Sequence, residues 1–183
     1  MDNFLVLDLE EYFNNNGFSY RENIVGDFTD KGHGSVFPSE ELPDSNSMVL
    51  IHKTPFRFPS KESNNNFELN DQKIMIPPNY YKKIHFLCAA DTGSFYETIK
   101  IGNRHNEFKY KVGFTDWTST EPVYSEKVAF RCKKAYTHRG EVNTETTIWY
   151  QMLILNDLDI NYIKFRDNPS VHIFSITLEK GDI

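Results

Sequence analysis

Aromatic and polar side chains lie together in three stretches of the chain, where they could contact a sugar. A pyranose stacks its apolar face on an aromatic ring, while amides, carboxylates or arginine fix its hydroxyl groups. Trp117 in DWTSTEPVY follows a strand-like run and is predicted to present an exposed indole, with Asp116 and Glu121 close in sequence. Further predicted loop residues that bind the ligand are Tyr80, Tyr81, Tyr136, His138 and Arg139. Packing in or around a core is the alternative interpretation for each aromatic residue.

A long loop near the start of the chain raises a second question of chemistry. The segment GDFTDKGHGSVFPSEELP, Gly26 to Pro43, has no helix or strand pattern, and ordered loops of this length are often functional. Asp27 and Asp30 are predicted to supply carboxylates to Ca²⁺, a cation that also takes backbone carbonyl oxygens. The spacing D-x-x-D-x-G is not that of an EF-hand. A loop in which the aspartates cap turns explains the same residues.

Four common catalytic motifs are absent from the sequence. A nucleophile elbow, a P-loop, an HExxH motif and paired histidines are all missing, and the six histidines are scattered singly. Histidines within strand-like runs, such as His85 and His172, are predicted to be packing residues. If the protein is an enzyme, we expect a carboxylate in a cleft to act together with His138 or His105.

Composition limits the function classes further. The chain has 183 residues, a net charge of -6 and a pI near 5.5, so neither a nucleic acid nor a membrane is expected as a partner. The acidic start lacks the pattern of a signal peptide, which predicts a cytoplasmic protein, or an extracellular one if a leader has been removed. Cys88 and Cys132 lack zinc-site spacing and are predicted to be buried, reduced thiols. Residues 1–183 are predicted to form a single domain.

The elements that position these side chains are predicted to be strands. In FKYKVGFTD, apolar and polar residues alternate with a period of two, and EKVAFRC repeats the pattern. Runs that are apolar on both faces lie at 83–90, 147–155 and 171–178, as expected for central strands. About nine or ten strands are separated by Gly, Pro, Asn and Asp clusters. The predicted fold is all-β, a two-sheet antiparallel β-sandwich of jelly-roll type.

Several motifs resemble a family of galactose-binding-like β-sandwich modules found attached to bacterial carbohydrate-active proteins. The segments that carry the resemblance are FNNNGFSYRENIVGDFTDKGHGSVFPSEELP (13–43), TPFRFP (54–59), IMIPP and KKIHFLCAADTGSF (within 74–95), VGFTDW (112–117) and VHIFSITLE (171–179). Together they cover nearly the whole chain. The resemblance implies a galactose-binding-like sandwich that serves as an accessory module.

Three hypotheses for function follow. The first is a non-catalytic, carbohydrate-binding-like module that recognises a glycan through loop aromatics and polar side chains, around a structural calcium. The second is a stand-alone enzyme, such as a lyase, cyclase or isomerase acting on a small molecule or sugar in a biosynthetic pathway. It predicts a deep apolar pocket with a titrating group of perturbed pKa, where the first predicts a shallow groove with exposed aromatics. The third is an interaction module that uses one face for a partner or for a homo-oligomer.

Overall fold

The protein is built almost entirely from β-strands. The structure, a computed structural model, describes residues 3–29 and 34–181. Its strands in these ranges are β1 (Phe4–Val6), β2 (Phe18–Ser19), β3 (Phe37–Pro38), β4 (Met48–Ile51), β5 (Thr54–Arg57), β6 (Phe67–Leu69), β7 (Lys73–Ala90), β8 (Phe95–Gly102), β9 (Glu107–Phe114), β10 (Lys127–Cys132), β11 (Ala135–Thr137), β12 (Gly140–Val142), β13 (Thr146–Lys164) and β14 (Asn168–Lys180). Two 3-10 helices, Glu10–Tyr12 and Ser39–Glu41, complete the described elements. The predicted all-β class is confirmed.

One large sheet organises the fold. Its eight strands follow the order β1-β14-β7-β13-β8-β9, with β10 also paired to β13 and β6 to β14, and all these pairs are antiparallel. Three smaller two-stranded sheets, β2-β3, β4-β5 and β11-β12, pack around it. Within the described ranges, no helix is long and apolar enough to cross a membrane.

Strand β7 joins two runs that the sequence indicates as separate strands, 72–77 and 83–90. The register against β13 shifts in the region of Pro77 and Pro78. Proline has no backbone N–H to donate to a neighbouring strand, so it is tolerated in a sheet at a bulge. The prolines therefore interrupt the ladder locally, and the strand continues beyond them.

Strand β13 likewise joins the predicted strands 147–155 and 162–167. Asn156 and Asp157 between them adopt left-handed backbone angles, with φ of 57° and 58°. Their position coincides with a second register shift against β7. Asn and Asp tolerate this conformation better than most residues, which explains why the sequence signal resembled a loop.

The long loop Gly26–Pro43 supplies aromatic residues to the core. Phe28 and Phe37 from this loop are fully buried and contact Trp117, with ring centroids 4.9 and 5.0 Å apart. Both also pack against Phe174 of β14, at 6.0 and 5.9 Å. The loop is thus held in place by burial of its own side chains against the large sheet.

Two runs of three asparagines, at 14–16 and 64–66, clamp the ends of the segment between them. Asn65 Nδ2 donates to Asn16 Oδ1 at 2.7 Å, and Asn66 Nδ2 donates to Asn15 Oδ1 at 2.9 Å. Both Asn65 and Asn66 are completely buried. Buried amides need partners for both their donors and their acceptors, and here each run satisfies the other.

We expect Asn65→Ala to lower the free energy of unfolding by about 2–3 kcal/mol, since it leaves buried polar partners unsatisfied. Asn65 Oδ1 accepts a hydrogen bond from the buried Gly17 N–H, in addition to the bond that Asn65 makes with Asn16. Asn64→Ala, an exposed position in the same run, is the control and should change stability by less than about 0.5 kcal/mol. Urea unfolding measures both. Equal stability of the two variants would contradict the role of the clamp.

Candidate functional site

A cavity of about 370 Å³ lies on one face of the central strands. Strands β7, β13 and β14 contribute to it, together with β1, β10 and the turn between β4 and β5. The lining residues used in the following argument are His52, Lys53, Lys83, His85, Lys127, Tyr150 and Glu179. Cavities of this size accommodate small molecules.

Strand register explains why these polar groups meet. Lys83 pairs with Glu179 between β7 and β14, while Leu87 pairs with Tyr150 between β7 and β13. Side chains two residues apart on a strand share a face, so Lys83, His85 and Leu87 point the same way. Tyr150 is the diagonal cross-strand neighbour of His85, within reach of an aromatic side chain.

Glu179, His85 and Tyr150 form a chain of polar contacts at the cavity. The His85 Nδ1 atom lies 2.8 Å from the Tyr150 hydroxyl, and its Nε2 atom lies 3.4 Å from Glu179 Oε2. The second contact is an electrostatic one, because no described residue forms a hydrogen bond with Nε2. A lone pair on Nε2 would face a carboxylate, so we assign the ring proton to Nε2. Tyr150 then donates its hydroxyl proton to Nδ1.

The charge states of the two ionisable partners differ. Burial lowers the pKa of His85 to about 4, against the opposing effect of the Glu179 charge, so the imidazole is neutral near pH 7. Burial raises the pKa of Glu179, but the hydrogen bond and charge of Lys83, with a contribution from Lys82, lower it overall. Glu179 is therefore ionised beside a histidine that is neutral near pH 7.

The turn between β4 and β5 forms part of the cavity rim. Its two residues, His52 and Lys53, have positive φ angles of 48° and 70°, and both line the cavity. Two-residue hairpin loops with this backbone favour Asn-Gly, so His-Lys is an unfavourable choice here. The His52 Nε2–H group donates to the Val128 carbonyl at 3.0 Å and fixes the turn against β10.

A second cavity of about 340 Å³ adjoins the first. Ser125, Gln151 and Met152 line both cavities and form the boundary between them. Tyr96 and Tyr124 lie in the second cavity with their ring centroids 4.2 Å apart, and Tyr96 is 65% exposed. This cavity therefore presents an aromatic surface to solvent.

The predicted residues around Trp117 lie elsewhere. The predicted exposed indole is wrong, because Trp117 is only 5% exposed and packs against Phe28 and the rest of the aromatic core. The Asp116 carboxylate accepts hydrogen bonds from the Thr118 N–H and hydroxyl at 2.8 and 2.6 Å, which stabilises the turn after β9. Glu121 is exposed.

The other predicted binding residues are divided between two further places. Tyr80 and Tyr81 lie in the middle of β7 and not in a loop; Tyr80 is half exposed, whereas Tyr81 is 1% exposed. Tyr136 on β11 is also 1% exposed, while His138 and Arg139 in the next turn are exposed. None of the predicted binding residues lines the cavity that holds His85. Their role in ligand binding stays a prediction.

The calcium prediction falls partly outside the described residues, since Asp30 is not among them. The Asp27 carboxylate accepts hydrogen bonds from the Thr29 N–H and hydroxyl, at 3.1 and 3.0 Å. This is the turn-capping alternative for Asp27. Within residues 3–29 and 34–181, no group of three or more His, Cys, Asp or Glu side chains is placed to hold a metal ion. Calcium binding stays a prediction.

The histidines expected to serve an enzyme, His105 and His138, are both exposed, whereas the cavity is lined by His52 and His85. Sequence reasoning assigned His85 to packing and did not single out Tyr150 or Glu179. The available signal is a polar residue inside an otherwise apolar run, as in KIHFL, IWYQM and ITLEK. That signal shows that each residue is unusual for its strand, but the three become one site only through the strand register.

Comparison with family models gives a match over nearly the whole chain. A family model described as the AziU2-like beta-sandwich domain matches residues 4–182. A search of the curated proteins found no match. The predicted β-sandwich fold is confirmed by this family match. The family description names a fold and no ligand.

The buried histidines predict that acid destabilises the protein. The pKa of His85 is lowered to about 4 and that of His172 to about 3, in both cases chiefly by burial. Between pH 6.5 and pH 4 the unfolded chain binds protons that the folded chain does not. Stability therefore falls as the pH falls, by up to about 1.4 kcal/mol per pH unit for each histidine. Urea unfolding between pH 7 and pH 5 measures this slope.

His85→Gln should make that slope shallower, because one of the two histidines no longer contributes. His105→Gln removes an exposed histidine and should leave the slope of the wild type unchanged. An identical slope in wild type and His85→Gln would show that His85 titrates normally in the folded protein.

Proposed function

The chain belongs to the AziU2-like β-sandwich domain family, and we propose that it is an enzyme that transfers a proton to or from a small polar molecule. The observation that carries this proposal is the Glu179, His85 and Tyr150 chain at the surface of the cavity. Isolated buried histidines are common packing residues. A neutral buried histidine that joins a tyrosine hydroxyl to an ionised carboxylate beside a cavity is the arrangement of an acid–base catalyst.

Tyr150 is the catalytic residue in this proposal and His85 is its proton acceptor. As the Tyr150 oxygen removes a proton from the substrate, its own hydroxyl proton passes to His85 Nδ1. The substrate gains one negative charge and His85 one positive charge. Protonation strengthens the attraction between the His85 Nε2–H group and Glu179, so the carboxylate stabilises the charged state and orients the ring. The reverse transfer returns the proton to the product.

The position of the Glu179, His85 and Tyr150 contacts beside a cavity supports an enzyme over a passive binding surface. The cavity falls in the size range of small-molecule sites, and its titrating group has a strongly perturbed pKa. A titrating group of perturbed pKa is one property that the enzyme hypothesis predicts. The other, a deep apolar pocket, is not met, because lysines and other polar side chains line much of this cavity. Proton abstraction is a step shared by lyases, cyclases and isomerases, so the geometry supports all three of those predicted reaction classes and favours none of them.

Tyr150→Phe should abolish turnover while leaving substrate binding nearly intact. Compounds that raise the thermal midpoint of the wild type identify ligands, because a ligand that binds only the folded state stabilises it. Each ligand is then incubated with the protein in D₂O, and mass spectrometry follows deuterium incorporation or product formation. Removal of the hydroxyl should lower the rate by about 10²-fold or more. The Kd should change little.

Tyr162→Phe is the matched control for this experiment. Tyr162 is also 7% exposed and also donates its hydroxyl to a partner, Glu107, but it lies outside the cavity. It should retain the wild-type rate. Full turnover in Tyr150→Phe, or a wild type that converts none of its ligands, would overturn the proposal.

Binding of a glycan, the function implied by the resemblance, is a second proposal, and one observation favours it. The exposed Tyr96 beside Tyr124 offers an aromatic face of the type on which sugars stack. A thermal-shift screen with neutral glycans should then give a hit whose shift is lost in Tyr96→Ala. Tyr20→Ala, which removes an exposed tyrosine elsewhere, is the control. A glycan shift of equal size in Tyr96→Ala would place the sugar at another site.

A further inference from the structure

The cavity beside His85 is basic, although the protein as a whole carries a net charge of -6. Lys53, Lys83 and Lys127 line it, and Glu179 is the one carboxylate among its described lining residues. We propose that the cavity binds an oxyanion group of the substrate, a carboxylate, phosphate or sulfate, on Lys53 and Lys127. This inference rests on the proposed function, because it names the class of molecule that Tyr150 acts on.

The single negative charge in the cavity is already compensated. Lys83 Nζ lies 2.9 Å from Glu179 Oε2, and Lys82 Nζ lies 3.6 Å from its other oxygen. Within the described part of the chain, neither Lys53 nor Lys127 forms an ion pair. Both lysines line the cavity without a protein counterion among the described residues, and an anionic ligand would balance their positive charges.

Neutral His85 leaves the recognition of the anion to the lysines. With a pKa lowered to about 4, His85 adds no positive charge to the cavity near pH 7. The group that moves the proton is thus distinct from the groups that attract the ligand. Such a division lets the anionic group of a substrate anchor the molecule while a different atom is presented to Tyr150.

The hairpin turn supplies an independent indication. Lys53 stands where a two-residue hairpin loop favours glycine, and its neighbour His52 also has a positive φ. A lysine at that position is not explained by the backbone, which would be better served by Asn-Gly. Lys53 does lie on the rim of the cavity, where a charged side chain can contact an anion, and the His52 contact with the Val128 carbonyl holds the turn.

An NMR titration of the full chain with sodium phosphate, sodium sulfate and sodium acetate tests the inference. Sodium chloride keeps the ionic strength constant, so that general screening does not imitate binding. We expect saturating shifts of backbone amides at 52–54, 127 and 150–152 with at least one of the three anions. The anion that saturates at the lowest concentration identifies the class of oxyanion.

Lys53→Ala and Lys127→Ala should each raise the Kd of that anion by about fivefold or more. Lys133→Ala, an exposed lysine outside the cavity, is the matched control and should bind as the wild type does. The inference is overturned if no anion gives saturating shifts at these positions, or if both cavity variants bind with wild-type affinity.

The outcome separates this inference from the proposed function. Anion binding needs no turnover, and Tyr150→Phe should retain it because the lysines are unchanged. Oxyanion binding without any Tyr150-dependent turnover would support the basic site and reject the enzyme. Tyr150-dependent turnover of a ligand, in a protein that binds none of the three anions, would support the enzyme and reject the basic site.

Discussion

The pairing of β7 with β13 is the constraint on which the rest of the structure depends. These two strands are the longest in the fold and occupy the centre of its sheet. Their register places Tyr150 opposite Leu87, and the register of β14 places Glu179 opposite Lys83. A shift of one residue in either pair would turn the side chains to opposite faces. The polar chain through His85 therefore exists only in this register.

Burial controls the chemistry of the Glu179, His85 and Tyr150 contacts in two ways. Burial of His85 away from water keeps the ring neutral, and it also strengthens the contact with Glu179 once the ring is charged. A more exposed histidine would be protonated more easily but would gain less from the carboxylate. Lys83 lowers the pKa of Glu179 and keeps it ionised. The negative charge of Glu179 in turn favours protonation of His85.

The sequence predicted the type of the elements better than their length or their meeting points. Alternating runs such as 108–114 identified strands, but Pro77 with Pro78 and Asn156 with Asp157 resembled strand ends. Tertiary pairing on both sides carried β7 and β13 through these signals as bulges. Trp117 shows a related limit, since a residue just after a strand can be buried by a distant loop that no local pattern locates.

The candidate site could not be predicted from the sequence for the same reason. His85 and Tyr150 each lie in an apolar run, where a polar side chain with a buried partner is common. Which residue becomes the partner depends on register, and register follows from packing across the whole sheet. The sequence also does not indicate that the two asparagine runs contact each other. Their frequency indicates a biased composition, whereas their mutual hydrogen bonds appear only when residues about fifty positions apart are brought together.

The asparagine clamp has a consequence for how such a protein can diversify. The segment 17–64 begins and ends at the clamp, and it includes the His52 and Lys53 turn. Closing a longer loop costs little extra free energy, about 0.6 kcal/mol for each doubling of its length. Substitutions at the exposed His52 and Lys53 turn can change the rim of the cavity without altering the buried aromatic residues of this segment or the strands that hold Tyr150 and His85. The part of the rim that contains Lys53 is therefore encoded apart from the strands that hold Tyr150 and His85, while Lys127 lies outside this segment on β10.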